Sequence, residues 1–240
     1  MSLNEKRKVL VVVGATRGVG KAISEKFIEI GWHVVGLGRD QKRLQAMEQE
    51  YGRLFRGIAI DIRNPKDVTD CFVVIGAELQ RIDMLVNNAA VFKKAKYLTC
   101  SYNDIDNIID TNLKGIMYVT LAALKVMVKT KLPGRIINVA SVASLHGIED
   151  QSIYCASKYG LNGFAEALNQ ELIGPHNIAL TTLYPGGIDT PLWGKSNPYP
   201  GDTTSLLQSK DIVSVIEYIS TLAPRVVLKN MTIFPSSEWH

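Results

Sequence analysis

The run Lys8-Val-Leu-Val-Val-Val13 feeds directly into Gly14-Ala-Thr-Arg-Gly18-Val-Gly20, after which Ala22, Ile23, Phe27 and Ile30 recur at helical spacing. A short β-branched apolar run of this kind suits a strand buried on both faces. A strand that turns through glycines into a helix narrows the possible folds sharply. Glycines let the backbone approach a ligand closely, and the NH groups and positive dipole end of the helix can hold a pyrophosphate. The opening segment therefore reads as a dinucleotide cradle.

The rest of the chain continues the alternation. Apolar runs at 8–13, 33–37, 54–60, 83–87, 135–140, 177–183 and 226–234 read as strands, with helix-patterned segments between most of them. Such alternation predicts an α/β fold, a doubly wound parallel sheet with helices on both faces. Between 189 and 210 the residues Pro191, Gly194, Pro198, Pro200 and Gly201 interrupt any regular pattern, which predicts a mobile flap. At 240 residues, with 46% apolar and 21% charged, the chain suits one domain spanning 1–240.

Several classes are disfavoured. The apolar stretches are far shorter than the roughly 20 residues that span a bilayer, and the charged start Asn4 to Lys8 leads into the first strand without a cleavable signal. Met1-Ser2-Leu3 is set aside as a possible expression remnant. A soluble, cytoplasmic protein without a membrane partner is expected. Cys71, Cys100 and Cys155 are odd in number and widely spaced, which suits neither a disulfide framework nor a zinc site. The net charge of +4 comes from scattered basic residues without a nucleic-acid motif. His33, His176 and His240 lack spaced partners for a metal, whereas His146, five residues after Ser141, is a candidate for the substrate cleft.

Chemistry is concentrated in one segment. Tyr154 and Lys158 stand four apart at the head of a helix-patterned stretch, and Ser141 ends an apolar run thirteen residues upstream. Residues i and i+4 share a helix face, so an ammonium can stand beside the phenol. A free tyrosine titrates near 10, and stabilising its phenolate near pH 7 needs roughly 4 kcal/mol. A lysine at about 4 Å supplies on the order of that amount at an effective dielectric of about 20. Ser141, Tyr154 and Lys158 are expected to form an active site.

In order, the motifs are Gly14-x-x-x-Gly18-x-Gly20, Asp61, Asn87-Asn-Ala-Ala90, Asn112, Ser141, Tyr154-x-x-x-Lys158 and Pro185-Gly-x-Ile188-x-Thr190. With them the chain resembles the short-chain dehydrogenase/reductase family over nearly its whole length. It departs at Val13, where the family has threonine, and at Ala90, where it has glycine. The resemblance implies a Rossmann fold with strand order 3-2-1-4-5-6-7. It also implies a catalytic set of Asn112, Ser141, Tyr154 and Lys158, with Asn112 holding a water that links Lys158 to solvent. By the same resemblance the turn residues Gly14, Thr16, Arg17, Gly18, Val19 and Gly20 bind the cofactor phosphates. Asp61 and Ile62 contact adenine, Asn88 and Ala89 line the adenosine side, and Lys158 bonds the nicotinamide ribose. Pro185, Gly186, Ile188 and Thr190 hold the carboxamide end.

Alignment to the family puts Gly38 at the end of the second strand, where NAD-dependent members carry an acid, followed by Arg39. With Arg17 this gives two guanidinium groups for a 2′-phosphate, so NADP(H) is the expected cofactor. Asp40 is read as the cap of the next helix. The resemblance thus implies hydride transfer between NADPH and a small-molecule carbonyl or alcohol, with a ketoacyl thioester as one candidate. Against the last stands the tail Asn230 to His240, which lacks the Gly-Gly ending usual in ketoacyl reductases. Trp193 and Tyr199 in the flap supply either an aromatic wall or loop anchors. Amphipathic stretches at Asp104 to Met127 and Ile153 to Leu172 suit the family's interface, so a homodimer or homotetramer is expected. A cofactor-binding redox sensor without turnover is the alternative.

Overall fold

The computed structural model describes residues 7–194, 197–199 and 201–238. His240, Pro200 and the start from Met1 to Lys6, all singled out above, lie outside them. Seven strands run β1 (Val9–Val13), β2 (His33–Gly38), β3 (Phe55–Ala59), β4 (Met84–Asn87), β5 (Gly134–Val139), β6 (Ile178–Pro185) and β7 (Asn230–Ile233). They form one sheet in the order β3-β2-β1-β4-β5-β6-β7, and every pairing is parallel. The expected strand order is the observed one.

The β-branched runs explain the sheet. All five residues of β1 are buried. Val9, Val11 and Val13 point into one core, while Leu10 and Val12 point into the other. Burial of each such side chain contributes about 1.5–3 kcal/mol, so a strand apolar at every position is stable only between two helical layers. The first layer holds α3 (Pro65–Leu79), α5 (Ile116–Thr130) and α6 (Ser152–Leu172). The second holds α1 (Gly18–Glu29), α2 (Gln41–Tyr51) and α7 (Ser209–Thr221).

Helix starts are marked by side chains that accept bonds from free backbone NH groups. Asp40 accepts from Arg43 N and opens α2, the capping role expected of it. Asn64 accepts from the NH groups of Lys66 and Asp67 and opens α3. In α4 (Tyr102–Ile109) Ser101 and Asp104 cap reciprocally. The start of α1 lacks such a cap, as does that of α6: Arg17 stands at its cap position without a side-chain bond, and its first turn carries no acid.

Three boundaries depart from the sequence reading. The amphipathic stretch Asp104–Met127 is interrupted by a π-turn at Asp110–Gly115, between α4 and α5. The last strand is shorter than 226–234, because the Arg135 guanidinium takes the carbonyls of Leu222, Ala223 and Val226 and draws that stretch toward β5 instead of into the ladder. The irregular stretch after Asp189 ends at Leu207, since Ser209 and Lys210 already belong to α7.

Candidate active site

The strand order turns outward in both directions from β1 and β4, and ligands in open α/β sheets bind at such a switch point, beyond the carboxyl ends of the strands. A cavity of about 950 Å³ lies there, lined by Gly14 and Thr16 to Val19, by Leu37 to Asp40 and by Val139 to Val142, among other segments. Every expected cofactor and catalytic residue except Gly20 and Asn112 lines it. Those two lie directly behind its wall.

The glycine turn is built to let something approach. Gly14 and Gly18 have φ of +82° and +52°, the left-handed region that favours glycine. A Cβ on Gly20 would stand 2.1 Å from the Gly14 carbonyl oxygen and 2.6 Å from Asn88 Nδ2. Asn88 donates to that same carbonyl at 3.3 Å, tying the turn to the end of β4. Val13, in place of the family's threonine, is buried and its carbonyl accepts from Asn88 N at 3.2 Å, so main chain holds the two loops together here. The uncapped NH groups of α1 open beside this turn. Together with the helix dipole they form an anion site of the right kind for a pyrophosphate.

Cations gather at the same end of the cleft. Arg17, Arg39 and Arg43 line it and are exposed, with Arg43 engaged by Asp40 at 3.2 Å. Asp61 follows β3, and Arg63 grips its carboxylate through Nε at 3.0 Å to both oxygens while Nη1 donates to Asn107 Oδ1 at 3.2 Å. This grip, more than any other contact, holds the Asp61 carboxyl below its ordinary range, with Arg39 adding to the effect. Arg63 was not singled out from the sequence. An arginine two residues after a strand-ending acid is the only local signal it leaves.

Ser141, Tyr154 and Lys158 come together at the far end. Ser141 follows β5, its Oγ accepts from Ala143 N at 3.1 Å, and its hydroxyl eases ionisation of the neighbouring Tyr154 phenol. Tyr154 and Lys158, one turn apart on α6, are 7% and 2% exposed. The lysine Nζ donates to the Val139 carbonyl at 3.3 Å and stands 5.5 Å from the centre of the tyrosine ring. Here the expected electrostatics need correction. Burial dominates both groups, pushing the phenol, despite the Ser141 hydroxyl, up to about 12 and the ammonium down to about 8. The lysine lies under the ring rather than against the hydroxyl, and its own lost hydration consumes the stabilisation a 4 Å pair would give. In this state the phenol keeps its proton.

Asn112 explains itself through the π-turn. Its Oδ1 accepts from Val91 N at 2.8 Å, and its Nδ2 donates to Val91 O at 2.9 Å and to Ser157 Oγ at 3.2 Å. A fully buried amide satisfied on both sides ties the loop after β4 to α6, which accounts for an asparagine inside a helical run. That leaves little of its side chain for the expected water. The carboxyl-terminal segments close the other wall. Gly186 N donates to Ile233 O at 2.8 Å, Ile188 bridges Leu207, and Thr190 sits where a Cβ on Gly18 would meet it at 3.5 Å. His146 lines the rim and is exposed. Two further lining residues, Phe92 and Glu238, were not anticipated, because they arrive from loops distant in sequence. Among the described residues no group of His, Cys, Asp and Glu is placed to hold a metal, and the three cysteines are unpaired. No helix among them is long and apolar enough to cross a membrane.

A cleft at the switch point, an uncapped helix start at one end and a buried serine–tyrosine–lysine set at the other define the class: an α/β oxidoreductase acting on CH–OH and C=O groups. The chain belongs to the short-chain dehydrogenase family, whose model matches residues 8–200. It is 34% identical over 194 residues to the 3-oxoacyl-[acyl-carrier-protein] reductase of Aquifex aeolicus, covering 79% of this chain and 77% of that enzyme. It is 27% identical over 239 residues to the serine 3-dehydrogenase of Agrobacterium fabrum, covering 95% and 94%. Among solved structures, the closed form of a serine dehydrogenase complexed with NADP+ superposes with a TM-score of 0.88 at 29% identity, covering 97% of this chain and 96% of the other.

Proposed function

We propose that the protein is an NADPH-dependent carbonyl reductase, reversible as a secondary-alcohol dehydrogenase, with Asn112, Ser141, Tyr154 and Lys158 as its catalytic set. The observation that carries this reading is the buried Tyr154 phenol, protonated and one helical turn from the buried Lys158, at the far end of the cleft from the uncapped start of α1. The glycine turn fits the pyrophosphate, because without a side chain at Gly20 the start of α1 packs directly on the Gly14 carbonyl and keeps its free NH groups beside the turn. NADP binding in the serine dehydrogenase neighbour supports the cofactor, as do Arg17 and Arg39, which stand where a 2′-phosphate needs cations. Asp61 and Ile62 meet the adenine, and Pro185, Gly186, Ile188 and Thr190 the carboxamide.

When bound, the reduced nicotinamide supplies a hydride with its electron pair to the carbonyl carbon. Ser141 donates a hydrogen bond to the carbonyl oxygen as negative charge develops there. Tyr154 delivers its proton to that oxygen, and the products are the alcohol and the oxidised cofactor. Lys158 neutralises the phenolate left behind and bonds the nicotinamide ribose. Asn112 holds Val91 and Ser157 in place around the pair, and its main-chain carbonyl is the atom left to hold a relay water. A homodimer or homotetramer completes the reading, since Met117 and Leu121 of α5, Tyr159 of α6 and Ile173 just past its end leave large apolar surfaces exposed.

Absorbance at 340 nm with NADPH and then NADH, against a panel of ketones, aldehydes and ketoacyl thioesters, tests the proposal. Turnover with NADPH supports it, and binding of neither cofactor overturns it. Arg39→Ala is expected to raise KM for NADPH about tenfold with little change for NADH, the scale of one lost charge-assisted phosphate contact of about 1.5 kcal/mol. An unchanged preference would remove Arg39 from the phosphate site. Because burial lowers the Lys158 ammonium to about 8, reductive kcat/KM is expected to hold below pH 8 and fall above it as that proton is lost. A pH series from 6 to about 10 that stayed flat would show that the ammonium is not needed.

A further inference from the structure

Phe92, Trp193 and Tyr199 are arranged around the phenol in an order that the function above does not use. The Phe92 ring meets Tyr154 edge to face with centroids 5.0 Å apart, Trp193 meets Phe92 at 5.2 Å, and Tyr199 meets Trp193 at 5.1 Å. Ile148, Ala143 and Cys155 complete the apolar surroundings of the phenol. The ladder is clamped as well as packed. Asn197 donates to the Phe92 carbonyl at 3.2 Å and accepts from Lys94 N at 2.9 Å, holding the segment that carries Trp193 against the loop that carries Phe92. At the outer end the Tyr199 hydroxyl donates to Glu238 at 2.7 Å, and the same carboxylate accepts from Gly187 N at 2.8 Å.

Charge is distributed unevenly along the cleft. Its arginines Arg17, Arg39 and Arg43 all stand at the end of the glycine turn. Near the phenol the buried cation is Lys158, directed at a backbone carbonyl beneath the ring. Lys94 and His146 are exposed on the rim, and the ladder itself ends in a carboxylate. Among the described residues, a substrate carboxylate laid on these rings loses hydration, finds only the lysine beneath the phenol as a buried cation and faces Glu238. A flat apolar group gains by stacking and by leaving water.

We infer that, within the reductase reading on which this rests, the ladder Phe92–Trp193–Tyr199 selects uncharged carbonyl compounds with an aryl or comparably flat apolar group beside the carbonyl. Such a ketone accepts the hydride at its carbonyl carbon and the Tyr154 proton at oxygen, leaving the aryl carbinol and the oxidised nicotinamide. Trp193 and Phe92 are specificity-determining residues that touch the substrate's ring.

The experiment measures kcat/KM with NADPH for acetophenone, 3-oxobutanoate and an acetoacetyl thioester of N-acetylcysteamine, and with NADP+ for L-serine. NADPH binding is followed separately by its fluorescence. The expected result is at least a tenfold advantage for the aryl ketone, within the range that a shaped apolar pocket provides. Trp193→Ala should remove most of it while NADPH affinity stays the same, and Trp193→Phe should restore it. Phe92→Leu gives an independent reading should the smaller side chain at 193 unfold the loop. Equal or faster turnover of the charged acid, the thioester or serine overturns the inference and leaves the reductase reading standing. Silence on all four compounds with NADPH bound also overturns it, and so does a Trp193→Ala loss equal for every compound. Failure to bind NADPH at all removes the reductase reading along with it.

Discussion

Tyr154→Phe is expected to lower kcat at least about a hundredfold while leaving NADPH affinity within about twofold, the loss typical of a positioned general acid. The substitution removes one hydroxyl from a ring that packs against Phe92 at 5.0 Å and keeps every apolar contact of that ring. Folding should therefore be preserved, and circular dichroism of the variant should overlay on the parent. The hydroxyl is the proposed proton donor, so its loss removes the acid and leaves Ser141 held by Ala143 N. Single-turnover reduction at a series of pH values checks the assignment. Near-parental turnover by the phenylalanine variant would mean that the proton comes from another group.

Gly20→Ala should abolish measurable cofactor binding. Its added methyl stands 2.1 Å from the Gly14 carbonyl oxygen and 2.6 Å from Asn88 Nδ2. The first of these neighbours is backbone and cannot swing aside. The turn must open, and the Asn88 bond at 3.3 Å that ties it to β4 is lost with it. Helix α1 itself would gain from an alanine, by up to about 1 kcal/mol in propensity, so a fall in affinity cannot be ascribed to a weaker helix. Titration of NADPH fluorescence is the measurement, and a dissociation constant within threefold of the parent would show that the turn adapts.

Particular residues explain how far the sequence could be read. Strands β1, β2 and β4 were visible because a chain buried on both faces has to be apolar at nearly every position, and their register follows from the pairing of neighbouring parallel strands. Asp40 could be identified as a cap because capping is local chemistry. Tyr154 and Lys158 were paired by their spacing and joined to Ser141 by the accompanying motifs, and the fold brings the three together at one end of the cleft. What could not be read depends on contacts between distant segments. The Arg135 side chain occupies carbonyls near residue 222, Arg63 holds Asp61 against Asn107, and Phe92 meets Trp193 about a hundred positions away. The protonation of Tyr154 was misjudged for a related reason. A helix-face spacing gives the distance between two groups but not how much water each has lost, and burial outweighs the charge pair here.

The turn at Asp110–Gly115 also has a consequence for rotation. An α-helix advances about 100° per residue, so a π-turn that inserts one extra residue shifts the phase of everything on one side of it by about that angle. Helix α4 can therefore direct its apolar residues by one azimuth and α5 by another, though the chain passes between them without a loop. Asn112 sits at the slip, where the added residue supplies the angular offset that aims its amide at Val91 and Ser157 together. Deleting a single residue there would restore an unbroken ladder and rotate α4 relative to α5, so that a helix more regular by every local measure would face the wrong direction.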